Sequence, residues 1–107
     1  MFLNQEELQE LPTDVCEKLL CAEKIIDSNF FEASDLIAQL VNDNFVKTHS
    51  RLQIAVSAYQ TYLLNKDMQY KHCIELCEQL ELNPLLQKLP NEKCFLLFNK
   101  TTALGFF

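Results

Sequence analysis

Apolar residues recur at three- and four-residue intervals along most of the chain, the pattern of helices that bury one face. Val15, Leu19, Ala22, Ile25 and Ile26 form the first such stripe. Pro12-Thr13-Asp14 precedes it, with a proline suited to a helix start and side chains able to cap free backbone N–H groups. The turn residues Asp27-Ser28-Asn29 close this helix. A second is expected from about Phe30 to Val41, until Asn42-Asp43-Asn44 breaks it. A third starts near Thr48 or Ser50, with Leu52, Ala55, Val56, Tyr59, Tyr62 and Leu63 on its apolar side, and turns at Asn65-Lys66-Asp67. The fourth spans about Met68 to Leu82 and carries Tyr70, Cys73, Leu76, Cys77 and Leu80. Residues 83–92 form the longest connection, with two prolines. A fifth helix begins near Asn91 and shows Cys94, Leu97, Phe98, Thr101 and Leu104 as its apolar line. The expected fold is all-α, an antiparallel helical array with short turns.

The second and fourth helices share a face at an offset of 40 residues. Phe30 corresponds to Tyr70, Ala33 to Cys73, Leu36 to Leu76, Ile37 to Cys77 and Leu40 to Leu80, with Asp27 and Asp67 in the preceding turns. An aromatic seats the helix, a small residue three positions later lets another helix approach, and the later apolar positions face a neighbour. A repeated face implies stacked units, and stacked units imply binding rather than catalysis.

These positions resemble tetratricopeptide repeats, whose first helix carries a small residue at the helix crossing. Cys21 and Thr61 would take that place, and Leu104-Gly105 looks like the Leu-Gly pair of a further first helix. The chain departs from the pattern in having no tryptophan and a period above the usual 34. The resemblance implies one helical-repeat domain over residues 1–107, with hairpins at about 13–43 and 48–82 and a partial one at 90–107. If Leu104-Gly105 marks a crossing, the array is incomplete at its C-terminus, the chain is a fragment or short form of a longer array or closes by self-association, and residues 96–107 present an unpaired apolar face.

Composition supports a helical domain and narrows its partners. The chain has 107 residues, 49% of them apolar, with one glycine and three prolines, so one small domain with a modest core is the expectation. Residues 1–45 hold ten acids against two lysines, a net charge of −8, and the remainder a net of +2. An acidic first half repels phosphate, which argues against nucleic acid and for either a solvated face or a basic protein partner. No apolar run has the length of a membrane span, and the acidic N-terminal stretch is unlike a secretory signal. Five cysteines make an odd number, so reduced thiols inside the cell, in nucleus or cytoplasm, are expected.

Candidate chemistry is sparse. Cys73 and Cys77 lie one helical turn apart beside His72, but a zinc site needs three or four ligands and no paired C-x2-C motif supplies them. Buried cysteines acting as small hydrophobes are the simpler reading. His49 and His72 are the only histidines available to a nucleophilic cysteine, and the single glycine excludes a phosphate-binding loop. No enzyme, cofactor or metal is expected. Tyr59, Tyr62 and Tyr70 either pack the core or line a groove for a peptide. Tyr59, Tyr62, Leu97, Leu104, Phe106 and Phe107 are therefore the candidate protein-interaction residues.

Phe31–Leu40, Leu52–Leu80 and Leu89-Pro90-Asn91-Glu92 together also resemble the N-terminal region of the family of anaphase-promoting complex subunit seven. That resemblance implies a non-catalytic scaffold in a nuclear ubiquitin ligase driving cell-cycle transitions, with other subunits as partners and homodimerisation through the N-terminal repeats. The alternative expectation is a peptide-binding helical-repeat regulator.

Overall fold

The computed structural model describes residues 2–107. Its α-helices are α1 (Gln5–Gln9), α2 (Thr13–Ile25), α3 (Phe30–Val41), α4 (Asn44–Thr48), α5 (Ser50–Lys66), α6 (Tyr70–Glu81) and α7 (Pro90–Phe106), with a 3-10 helix at Pro84–Lys88. No strand occurs among the described residues, so the all-α expectation holds. The five long helices lie where hydrophobic periodicity places them. Two five-residue helices, α1 and α4, and the 3-10 turn were beyond that reading, because so short a segment shows no period.

Two compact units divide the chain at Val56 and Ser57, inside α5. In the first, Asn4 caps α1 by a capping box: its side chain accepts the Glu7 N–H at 2.8 Å, and the Glu7 carboxylate accepts the Asn4 N–H at 3.0 Å. Arg51 then ties this segment to α5, donating to Glu7 Oε2 at 3.1 Å and to the Phe2 carbonyl at 2.8 Å. Helices α2 and α3 pack on each other, burying Val15, Leu19 and Ala22 of one and Ala33, Ile37 and Leu40 of the other. Asn29 opens α3 by accepting the Glu32 N–H, and Asp43 opens α4 by accepting from Phe45 and Val46. Of the turn residues read from sequence, Asn29, Asn42 and Asp43 are thus caps.

In the second unit α6 packs on α7. The turn into α6 is a Schellman motif: the Gln69 N–H reaches the Leu64 carbonyl at 2.9 Å and the Met68 N–H the Asn65 carbonyl at 3.0 Å. Met68 occupies the left-handed position, φ 58°, where glycine is usual. Cys73 and Cys77 are fully buried, with Sγ atoms 3.8 and 3.6 Å from the carbonyls of Asn99 and Leu96 on α7. Small side chains at these two positions bring α6 close to the α7 backbone.

The 40-residue offset extends beyond the face first noticed. Helices α3 and α6 both have 12 residues, and α5 and α7 both have 17. The short segments before α5 and α7 are both five residues long, bury Val46 and Leu86, and are capped by Asp43 and Asn83.

Three details differ from the sequence reading. On α7 the buried residues are Glu92, Leu96, Asn99 and Ala103, whereas Cys94, Leu97, Phe98, Thr101 and Leu104 are exposed. Hydropathy misplaced this face because two of its four buried positions are polar. Cys21 is exposed and no small crossing residue there. Nothing crosses α7 at Gly105, where an added Cβ would meet no atom within 4 Å.

Candidate functional site

Pro90 starts α7 with a fixed φ and no N–H to satisfy, and Leu89 precedes it as the cap residue. The buried side of α7 is held by polar as well as apolar packing. Asn99 donates from Nδ2 to the Thr61 hydroxyl at 2.9 Å, and that hydroxyl donates to the Ala58 carbonyl at 2.6 Å. Asn65 of α5 donates to the Asn99 carbonyl at 2.9 Å. These bonds fix the rotation of α7 and hence which residues it turns outward.

Outward it turns Leu97, Phe98 and Leu104, 61%, 67% and 56% exposed, on one face with the small residues Cys94, Thr101 and Gly105. Phe106 and Phe107 are exposed as well. Phe106 stacks on Tyr70 at 5.2 Å between ring centroids, and beside this pair Met68, His72 and Phe107 line an open groove of about 380 Å³. Lys93 and Lys100 run along one edge of the open face, at helical spacing from Leu97 and Leu104. Lys93 meets Gln87, and Lys100 pairs with Glu81 at 3.1 Å. The only acid on α7, Glu92, is buried.

The six candidate interaction residues therefore fall into two groups. Leu97, Leu104, Phe106 and Phe107 are all exposed, but only Leu97 and Leu104 share the open line of α7, since Phe106 turns to the other side of the helix against Tyr70. Tyr59 is buried and Tyr62 half-buried, both packed against Phe95 at 6.3 and 5.8 Å, with Lys66 over the Tyr62 ring. The packing reading describes these two tyrosines, and Tyr59 keeps too little surface to line a groove. Phe98 and the lysine edge were not singled out as site residues. Their signal was present, since Phe98 lies beside Leu97 and Thr101 on one helical face.

The other candidates carry no visible chemistry. Cys77 is pushed well above the ordinary thiol value, first by its hydrogen bond with Cys73 and then by burial, which keeps it protonated and unreactive. His49 Nδ1 accepts the Leu52 N–H at 3.1 Å and so caps α5. His72 Nδ1 lies 2.9 Å from Gln69 Oε1 on the surface. Among the described residues no three His, Cys, Asp or Glu side chains converge to hold a metal ion. No described helix is long and apolar enough to cross a membrane.

Comparisons with protein-family models, with curated proteins and with solved structures gave no match.

Proposed function

We propose that this chain is a non-catalytic protein–protein interaction module, built of helical hairpins stacked in the tetratricopeptide-like manner. The observation that carries this reading is the outward face of α7. It sets Leu97, Phe98 and Leu104 in water on a helix whose opposite side is fixed by buried hydrogen bonds. A rigid, contiguous apolar surface of this kind marks an interaction site on a stable fold. The 40-residue recurrence of helix lengths and caps supports the repeat. At finer grain the module is a subunit of a multiprotein assembly such as the anaphase-promoting ubiquitin ligase, inside the cell, with other subunits or a second copy as partner.

The experiment is affinity purification of the tagged chain from its own cells, beside Leu97→Ser/Leu104→Ser. A reproducible set of subunits, lost in the variant while its helical circular dichroism is unchanged, is the expected result. Enrichment of nothing, or of a set indifferent to the variant, would count against the module. A second reading, a peptide-binding helical-repeat regulator, draws on the groove beside Tyr70 and Phe106. Saturable peptide binding that is weakened by Tyr70→Ala would favour it.

A further inference from the structure

Arg51 is the chain's only arginine. It stands in the first turn of α5, between the His49 cap and the fully buried Leu52, Ile54 and Ala55, so its backbone is firmly placed. Its side chain is only 15% exposed and is spent on residues 2–7. Nε donates to Glu7 Oε2 at 3.1 Å, and Nη2 donates to the Phe2 carbonyl at 2.8 Å. A rigid guanidinium fork that grips one carboxylate and one main-chain carbonyl is suited to reading a peptide segment. The segment presents its carboxylate through its own capping box: Glu7 Oε1 accepts the Asn4 N–H at 3.0 Å, which leaves Oε2 for Arg51. Beside these polar contacts Leu3 is buried, 4% exposed. A terminal helix ordinarily joins the core through an apolar stripe. Helix α1 has none: it buries no residue, and its single apolar side chain, Leu8, lies on a groove. That groove, open and of about 480 Å³, separates Gln5, Leu8 and Gln9 from Cys16 and Leu20 of α2. The segment is therefore pinned at Leu3 and Glu7 and not sealed along a face.

We infer that residues 2–7 occupy in cis a docking site for a helix start of another protein, and act as a strap whose displacement opens that site. The site is centred on Arg51 and the position that Leu3 fills, a second surface that does not rest on the α7 face. The contacts of the strap define the chemistry of its competitor. Arg51 is screened from water while a segment is seated, so a seated ligand must bring its own carboxylate and carbonyl. The competitor therefore carries an apolar side chain, a capping residue directly after it, and a glutamate three residues beyond the cap, as Leu3, Asn4 and Glu7 do. Its capping box fixes the glutamate before it meets Arg51, so little ordering remains to be done on docking. A ligand without the acid leaves the strap in place.

The test uses a fluorescent synthetic peptide of residues 2–11 as the probe, titrated by anisotropy against the full chain and against its Leu3→Ser/Glu7→Lys variant. The variant, with its own strap released, should bind the peptide saturably and at least tenfold more tightly than the parent. Adding Arg51→Gln to the variant, or Glu7→Lys to the peptide, should abolish that binding. Hydrogen exchange reads the parent chain without any substitution: the bonded amides of Glu7 and Leu8 should exchange at least tenfold faster than those in the middle of α2, because the strap opens by itself. Equal binding to parent and variant, no binding to the variant, or binding that survives Arg51→Gln overturns the inference. Protection of Glu7 and Leu8 equal to that of α2 overturns it too. Loss of the α2 and α3 helix signal in the variant does the same, by making the segment part of the core. Each of these results leaves the α7 module to its own experiment.

Discussion

Helices α5 and α7 begin at equivalent points, have the same length and bury the same four positions, yet they differ in what lies on their other sides. α5 buries Ile54, Ala58 and Thr61 in addition, so apolar and small residues surround it. α7 buries one line only, and that line includes Glu92 and Asn99. Composition alone therefore does not tell a core face from a surface. On α7 the more apolar side faces water, and the side rich in hydrogen bonds faces the core. Such an inversion is stable when the buried polar groups are satisfied, as Asn99 is by Thr61, since an unpaired one is costly.

The comparison breaks most sharply with a charge. Ala58→Glu on α5 should cost about 4 kcal/mol or more, because it buries a carboxylate. The equivalent Phe98→Glu on α7 should change stability by less than about 0.5 kcal/mol. Chemical denaturation of the two variants reads this directly, and similar losses in both would show that α7 is covered. Next, Leu96→Ala should cost about 2–5 kcal/mol, whereas the neighbouring Leu97→Ala should cost almost nothing. The reverse ranking would rotate α7 by one residue and return it to the hydropathy reading.

Asn99→Ala should cost about 1–3 kcal/mol by stranding the Thr61 hydroxyl's partner site. A loss restored by adding Thr61→Val would confine the effect to that bond. Met68→Gly should stabilise the chain by about 0.5–1 kcal/mol, through relief of the left-handed backbone at the turn into α6. Unchanged or reduced stability there would argue against the Schellman geometry. The smallest effect is the Lys100–Glu81 pair. The Glu81 carboxylate raises the Lys100 value above the ordinary one. The pair's contribution is therefore present at neutral pH and fades only in strong alkali, as pH rises through that raised value. A loss of stability at neutral pH in Glu81→Gln, larger than in the exposed pair variant Glu75→Gln, would sharpen its role.

Helix type and placement were legible because α2, α3, α5, α6 and α7 each carry several turns of periodic apolar residues. The caps were legible in part, since Asn29 and Asp43 stood out as turn residues, whereas Asn83 fell inside the longest connection and was not singled out. The α7 face was not, because Glu92 and Asn99 read as solvent positions until Thr61 and Asn65 are placed opposite. Tyr59 and Tyr62 were ambiguous for the complementary reason. An aromatic stripe looks the same in sequence whether Phe95 covers it or a peptide does. The offset between first helices misled for Cys21, which aligns with Ala58 when the helices are counted from their starts, not with Thr61.

Helix α7 keeps its apolar line open, while α6 and α7 close over the cysteine pair. Thiol labelling of the native reduced chain, followed residue by residue in mass spectrometry, tests it most directly. Cys94 should react nearly as fast as in denaturant, alongside Cys21, while Cys73 and Cys77 stay protected until the second unit unfolds. Protection of Cys94 comparable to that of Cys77 in the dilute monomer would contradict the open face and the interaction role proposed for it.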